Sequence, residues 1–160
     1  MDKIASIRER IARLKKLVRE YFPLPDKALI EKHDELLRIF DIRGSKHGTR
    51  HPHRMARVYI TRKAIKHFVE SRKAELTKRH SDDESIRKIC NALDQIQNVI
   101  TNFDKYEYEP DGGKHFYMKD FFENGDNSIR ILTQERPDNR IEICSIHFTK
   151  RIKKNKNATD

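Results

Sequence analysis

The chain has 160 residues, with 35 Lys+Arg against 25 Asp+Glu for a net charge of +10, and only 36% of it is hydrophobic. That length suits one compact domain with an appended element. No apolar run approaches the ~20 residues that span a bilayer, and the first residues lack a secretory apolar core, so a cytoplasmic protein without a membrane partner is expected. Two cysteines, Cys90 and Cys144, with no CxxC exclude a disulfide framework and a Cys-rich zinc site.

At the N-terminus Ile4, Ile7, Ile11, Leu14, Val18 and Tyr21 repeat at alternating intervals of three and four, a heptad seam that predicts a helix. Pro23-Leu24-Pro25 ends it, because proline supplies no N–H. Asp26 is a candidate cap for a second amphipathic run through Leu29, Ile30, His33, Leu36, Leu37 and Phe40. Residues 1–42 therefore read as a helical hairpin arm. It either braces the main domain or docks a partner, such as an inhibitor or immunity protein or a partner helix on residues 3–40.

Residues 43–56 hold two glycines, a proline and no periodicity, and read as a basic, His-rich linker. His47, His51 and His53 form an HxxxHxH pattern. With no carboxylate or cysteine beside them, they read as a solvated basic segment, and no metal or other cofactor is expected.

Past the linker, Arg57–Ile60 alternates like a strand and Thr61 can cap a helix to about Arg79 with Ala64, Ile65, Phe68, Val69 and Leu76 on its apolar face. Ser81-Asp82-Asp83-Glu84 is a capping box. The helix it opens should bury Ile86, Ile89, Cys90, Leu93, Ile96 and Ile100 and end near Asn102. The period then changes to two in 106–109, 115–122, 128–135 and 140–149, separated by Gly-, Asn-, Asp- and Pro-rich turns. Helices followed by a meander give an α+β fold over 57–153, with helices on one face of a four-stranded antiparallel sheet and a flexible basic tail over 154–160.

Alternation sorts the strand side chains. Phe116 and Met118, with Cys144, Ile146 and Phe148, are expected beneath the helices. His115, Tyr117, Lys119, Ser145, His147 and Thr149 are expected on the open face. Ile129 and Ile131 pull against Leu132, so Arg130 is assigned to neither face. His67 flanks the apolar stripe of its helix and can reach the sheet rim with Arg72.

Charge points to the partner. Residues 41–60 carry +4 and residues 61–80 carry +5, and together they hold five of the eight histidines. Clustered cations suit a polyanion through neutralisation of phosphates and counterion release. Imidazoles and cations on one sheet face also suit metal-free RNA cleavage. Histidine can act as both base and acid near neutrality, and a cation stabilises the phosphorane-like transition state.

The segments VYITRKAIKHFVESRKAELT, QNVITNFDKYEY, GGKHFYMKDF, SIRILTQE and RIEICSIHFTKRIKK together resemble the phage-associated barnase–EndoU–colicin–RelE-like (BECR-fold) nuclease domains. The resemblance covers about Arg57 to Lys153 and leaves out the N-terminal hairpin. It implies a metal-independent endoribonuclease, a toxin or effector, cleaving tRNA, mRNA or another structured RNA through the 2′-hydroxyl. Its catalytic positions fall on His67, Arg72, Lys119 and Thr149, and this chain adds His147. Arg54, Arg57, Arg62, Lys66, His115, Arg130, Lys150 and Arg151 are the expected nucleic-acid contacts. Two alternatives stand beside it: a non-catalytic RNA- or DNA-binding module, and an interaction protein docking through the hairpin.

Overall fold

The computed structural model describes residues 6–121 and 127–150, and side chains of all of these but 121, 127, 149 and 150. The expected tail 154–160 and Arg151 lie outside the described residues. Among the described residues the protein is α+β, with three α-helices and a six-stranded mixed sheet in the order β1-β2-β6-β5-β4-β3. The strands are β1 (Leu36–Asp41), β2 (Arg57–Thr61), β3 (Lys105–Glu109), β4 (Lys114–Phe121), β5 (Asn127–Arg136) and β6 (Arg140–Lys150). All neighbours are antiparallel except β2 and β6, which run parallel. The expected four-stranded antiparallel sheet is thus the meander half of a larger one.

Helix α1 (Ile7–Tyr21) starts at Ser6, whose hydroxyl accepts from Glu9 N–H, and stops before Pro23. Its apolar stripe is not presented to solvent. Ile11, Leu14, Leu17, Val18 and Tyr21 are buried, and the helix packs on β1 and on α2 (Arg62–Leu76) and α3 (Asp82–Thr101). The heptad seam finds its partners inside the chain.

The second helix of the expected hairpin does not form. Residues 22–35 are turns and irregular backbone, and Leu36–Asp41 is a strand paired with β2. Leu29, expected on the apolar face, is 100% exposed. Pairing with β2 makes 36–41 a strand, and a bulge accounts for its helix-like spacing. Leu37 pairs with Ile60 and Phe40 with Val58, and the register shifts between Arg38 and Phe40. One extra residue lets a strand bury positions three apart, a spacing that in sequence reads as a helix.

Helices α2 and α3 follow their capping signals closely. Thr61 Oγ1 accepts from Ala64 N–H and Ser81 Oγ from Glu84 N–H. Thr61 both ends β2 and caps α2, so the chain turns from strand to helix without a loop. The four meander strands lie within a residue or two of their expected bounds. At the β5–β6 hairpin Asp138 and Asn139 take positive φ, as a tight turn requires.

The core lies between the sheet and the helices, with Val58, Ile60, Ile65, Leu93, Ile96, Ile131, Ile141 and Ile143 fully buried. Ile141, Ile143 and Ile146 all point into it because β6 carries a second bulge. Ile143 pairs with Thr133 and Ser145 with Leu132, leaving Cys144 as the extra residue. Strict alternation would put Ile141 and Ile143 on the face opposite Ile146, and that one-residue slip brings all three to the covered side. The described residues include no helix long and apolar enough to cross a membrane.

Leu14 is 1% exposed in this core. Leu14→Ala should lower unfolding free energy by about 2–5 kcal/mol in urea titration. A free arm would lose almost nothing.

Candidate functional site

Register decides which side chains can meet. Residues directly opposite on neighbouring strands share a face, so Tyr117, Ile131 and Ile146 lie together under the helices. His115, opposite Thr133, and Lys119, opposite Ile129, lie on that same covered face. His115 is 4% exposed and Tyr117 0%. The expectation that His115, Tyr117 and Lys119 share the open face with His147 is therefore corrected. Phe116 and Met118 take the open face instead, and burial of Tyr117 is made possible by partners that the alternation pattern does not contain.

The open face is built on β4, β5 and β6. Met118, Arg130 and His147 are consecutive register partners across the three strands, which assigns Arg130 its face. Its guanidinium lies 4.3 Å from the Phe116 ring centroid, a cation–π contact that holds it over the sheet. His147 is exposed, and its Nε2 lies 3.0 Å from Ser145 Oγ.

Among the described residues no strand pairs with β6 beyond Ile143 on its β2 side, because β2 pairs with 140–143. Helix α2 occupies that flank. Phe68 packs edge-on against Phe148 at 6.2 Å, and the Arg72 guanidinium sits 5.5 Å from the same ring. Arg72 is 8% exposed, with one terminal nitrogen 3.3 Å from Glu75 and an Nε that has no hydrogen-bond partner among the described residues. Partial desolvation of the ring and the positive charges of Arg72, Arg130 and His67 push the His147 imidazole below its ordinary value. Of the expected catalytic set, His67, Arg72 and His147 are thus brought into one electrostatic neighbourhood, and Arg130 joins them.

Lys119 is elsewhere. Its Nζ donates to the Asn102 carbonyl at 3.1 Å and lies 3.6 Å from Asp104, at the C-terminal end of α3. Thr149 lies in β6 opposite Ser128 and Lys150 opposite Asn127; the side chains of both lie outside the described ones. Lys66 is buried, its Nζ donating to Glu70 at 2.7 Å and to the Pro25 carbonyl at 3.2 Å. Arg62 bonds Glu35 at 3.1 Å, Arg57 bonds the Asp138 carbonyl at 3.0 Å, and Arg54 is exposed.

The histidine-rich segment is folded rather than solvated, and it was missed as a structural feature because its partners lie 49 or more residues away. His51 Nε2 contacts the Ile100 carbonyl at 2.7 Å, and its Nδ1 faces the His53 amide at 3.0 Å. A carbonyl only accepts and an amide only donates, so the Nε2–H tautomer of His51 is required. His47 Nε2 reaches the Phe103 carbonyl at 2.8 Å, and its ring stacks on Phe103. These two imidazoles satisfy carbonyls at and just beyond the end of α3.

His53 goes to the sheet. Its Nδ1 meets the Tyr117 hydroxyl, and its Nε2 lies 3.1 Å from Glu135 Oε1. The same oxygen lies 2.7 Å from His115 Nε2, and His115 Nδ1 meets the Tyr106 hydroxyl. Burial pushes both imidazoles below their ordinary value and the Tyr117 phenol far above its own, while hydrogen bonding from His53 holds the Glu135 carboxyl low. A shallow cavity of about 300 Å³ beside Arg10, Arg38, Asp41 and Arg43 carries no imidazole, and its Arg38 is engaged by Asp41 at 2.8 Å.

No family model, no curated protein and no solved structure matches this chain.

Removing the Tyr117 hydroxyl strips a buried partner from His53. Tyr117→Phe should cost about 1–3 kcal/mol in urea unfolding, and amide hydrogens of residues 43–56 should exchange faster.

Proposed function

We propose that the protein is a metal-independent endoribonuclease whose site lies along the C-terminal half of β6, with His147 and Arg130 from the open face and His67 and Arg72 from the flanking α2. One observation carries the reading: an imidazole whose protonation is disfavoured by partial desolvation and then by Arg72, Arg130 and His67, near a buried arginine whose Nε has no hydrogen-bond partner among the described residues. A neutral imidazole is a base at neutral pH, and a group of cations is a receptor for a phosphodiester.

In this reading His147 removes the proton from the 2′-hydroxyl, and the freed oxygen attacks phosphorus. The bond from phosphorus to O5′ breaks, and protonated His67 supplies a proton to that leaving oxygen. The products are a 2′,3′-cyclic phosphate and a 5′-hydroxyl. Arg72 and Arg130 stabilise the added negative charge of the phosphorane-like transition state. Arg130 takes the position that the family resemblance gives to Lys119, which is engaged at the end of α3. The net charge of +10 supports an RNA partner by steering a polyanion to this face.

The test is cleavage of tRNA or bulk RNA in EDTA, with end-group analysis for cyclic phosphate. His147→Ala and His67→Ala should each slow cleavage by about 10²-fold or more. Full activity in both variants removes the proposed roles. Salt-sensitive binding with no product indicates a binding module instead.

The pH profile gives a second prediction. The base works when deprotonated, so the acid limb of kcat/KM should lie below 6.5, and because the leaving oxygen needs a protonated acid the rate should fall again at higher pH, giving a bell-shaped profile. Arg72 and His67 face His147 from α2 and Arg130 from β5. Removing one of these charges in Arg130→Gln should move the limb upward, toward the ordinary histidine value.

A further inference from the structure

The cluster of His53, His115 and Glu135 is used neither by the proposed cleavage site nor by the core. It joins three separate parts of the chain: the segment between β1 and β2, strand β4, and strand β5. His115 sits opposite Thr133, so Glu135, two residues on, is its diagonal neighbour on the same face. The His53 loop closes over that pair. The nitrogen and oxygen donor atoms of the three residues all lie within 4.8 Å of one another.

We propose that His53, His115 and Glu135 form a binding site for one divalent transition cation of the zinc class, with a remaining coordination position open to water on the Glu135 side.

Distances support it first. Both imidazoles aim Nε2 at a single carboxylate oxygen, at 3.1 and 2.7 Å. Two donor atoms bound tetrahedrally to zinc at about 2.0–2.1 Å stand about 3.3 Å apart. The two histidine–carboxylate separations therefore need to widen by only a few tenths of an ångström, while the two imidazole nitrogens, within 4.8 Å of each other, take up the same spacing by small ring rotations.

The far sides of the rings support it next. Each Nδ1 is paired with a tyrosine hydroxyl, His53 with Tyr117 and His115 with Tyr106. Histidine ligands of metals characteristically engage the other ring nitrogen in a hydrogen bond, which sets the tautomer and aims the lone pair. Each Nε2 now faces a carboxylate oxygen, which only accepts, so Nε2 carries the proton and Nδ1 accepts from the phenol; an ion would shift that proton to Nδ1, which then donates to the phenol oxygen and leaves Nε2 as the ligand. Stacking of Tyr108 on His115 at 4.6 Å further fixes that ring.

His53 and His115 are 7% and 4% exposed, whereas the Glu135 side chain is 53% exposed. Two buried imidazoles and one solvent-facing carboxylate make a three-ligand site with room for water, the ligand set of catalytic zinc centres. Imidazole donors select zinc-like ions over magnesium and calcium, which want oxygen.

The site is distinct from the cleavage cluster. His115 lies on the helix-covered face and His147 on the open one, so the two proposals stand or fall separately.

The experiment is titration of the chelator-treated full chain with zinc by calorimetry, and with cobalt by visible absorption. One ion per chain is expected, with the cobalt d–d bands of a low-coordinate nitrogen–oxygen site. His115→Ala should weaken binding at least 100-fold and Glu135→Gln at least 10-fold. The half-exposed Glu135 makes the second variant safe for folding, which circular dichroism checks. Tyr106→Phe should weaken binding about 10-fold through loss of ring orientation. His147→Ala should bind as the parent does. Zinc should also slow amide exchange in residues 43–56, since the ion ties that loop to β4 and β5. Failure of the folded parent to bind zinc or cobalt overturns the proposal, as does unchanged binding in both His115→Ala and Glu135→Gln.

Discussion

The insertion of β6 between β2 and β5 is the constraint on which the rest of the molecule depends. It is parallel to one neighbour and antiparallel to the other, and it joins the β1–β2 hairpin to the meander in a single sheet. Val58 lies opposite Ile141 and Ile60 opposite Ile143, all four fully buried. These pairs bring two parts of the chain about 80 residues apart into one hydrophobic layer. Burial on that scale is the main favourable contribution to folding.

The same insertion creates the open flank. Strand β2 stops at Thr61, where the chain turns into α2, while β6 continues to Lys150. Among the described residues, the C-terminal half of β6 is therefore met by α2 and by no strand on that side. Phe68 and Arg72 pack against Phe148, and the neighbouring position on the other face is His147. The proximity of Arg72 and His67 to His147 is thus a consequence of unequal strand lengths. Arg130 joins them through strand pairing.

The histidine-rich segment shows how polar residues can anchor a loop. His47 and His51 satisfy carbonyls at the end of α3, and His53 inserts between Tyr117 and Glu135. Buried polar groups cost free energy unless they are paired. In this segment each of the three imidazoles has a partner, which is why a glycine-containing stretch rich in cations is ordered against the core. It also explains the face taken by β4: with His53 beneath it, Tyr117 can be buried with its hydroxyl satisfied, and Phe116 is displaced to the open side.

Local chemistry by itself determined the elements that carry their own punctuation. Ser81 and Thr61 mark helix starts, Pro23 marks a stop, and the Gly-, Asn- and Asp-rich turns bound the meander strands, because caps and turns satisfy backbone groups within a few residues. It also marked His67, Arg72 and His147 as candidates. Only the tertiary structure decided three things. Pairing with β2 made Leu36–Asp41 a strand, and a bulge gave it the spacing that reads as helix. A second bulge at Cys144 kept Ile141, Ile143 and Ile146 on one face. Long-range pairing took His115, Lys119 and Lys66 to interior roles and gathered His53, His115 and Glu135. Each outcome depends on what lies opposite a residue in space, and a one-residue slip or a partner from a distant segment leaves no trace in the local pattern.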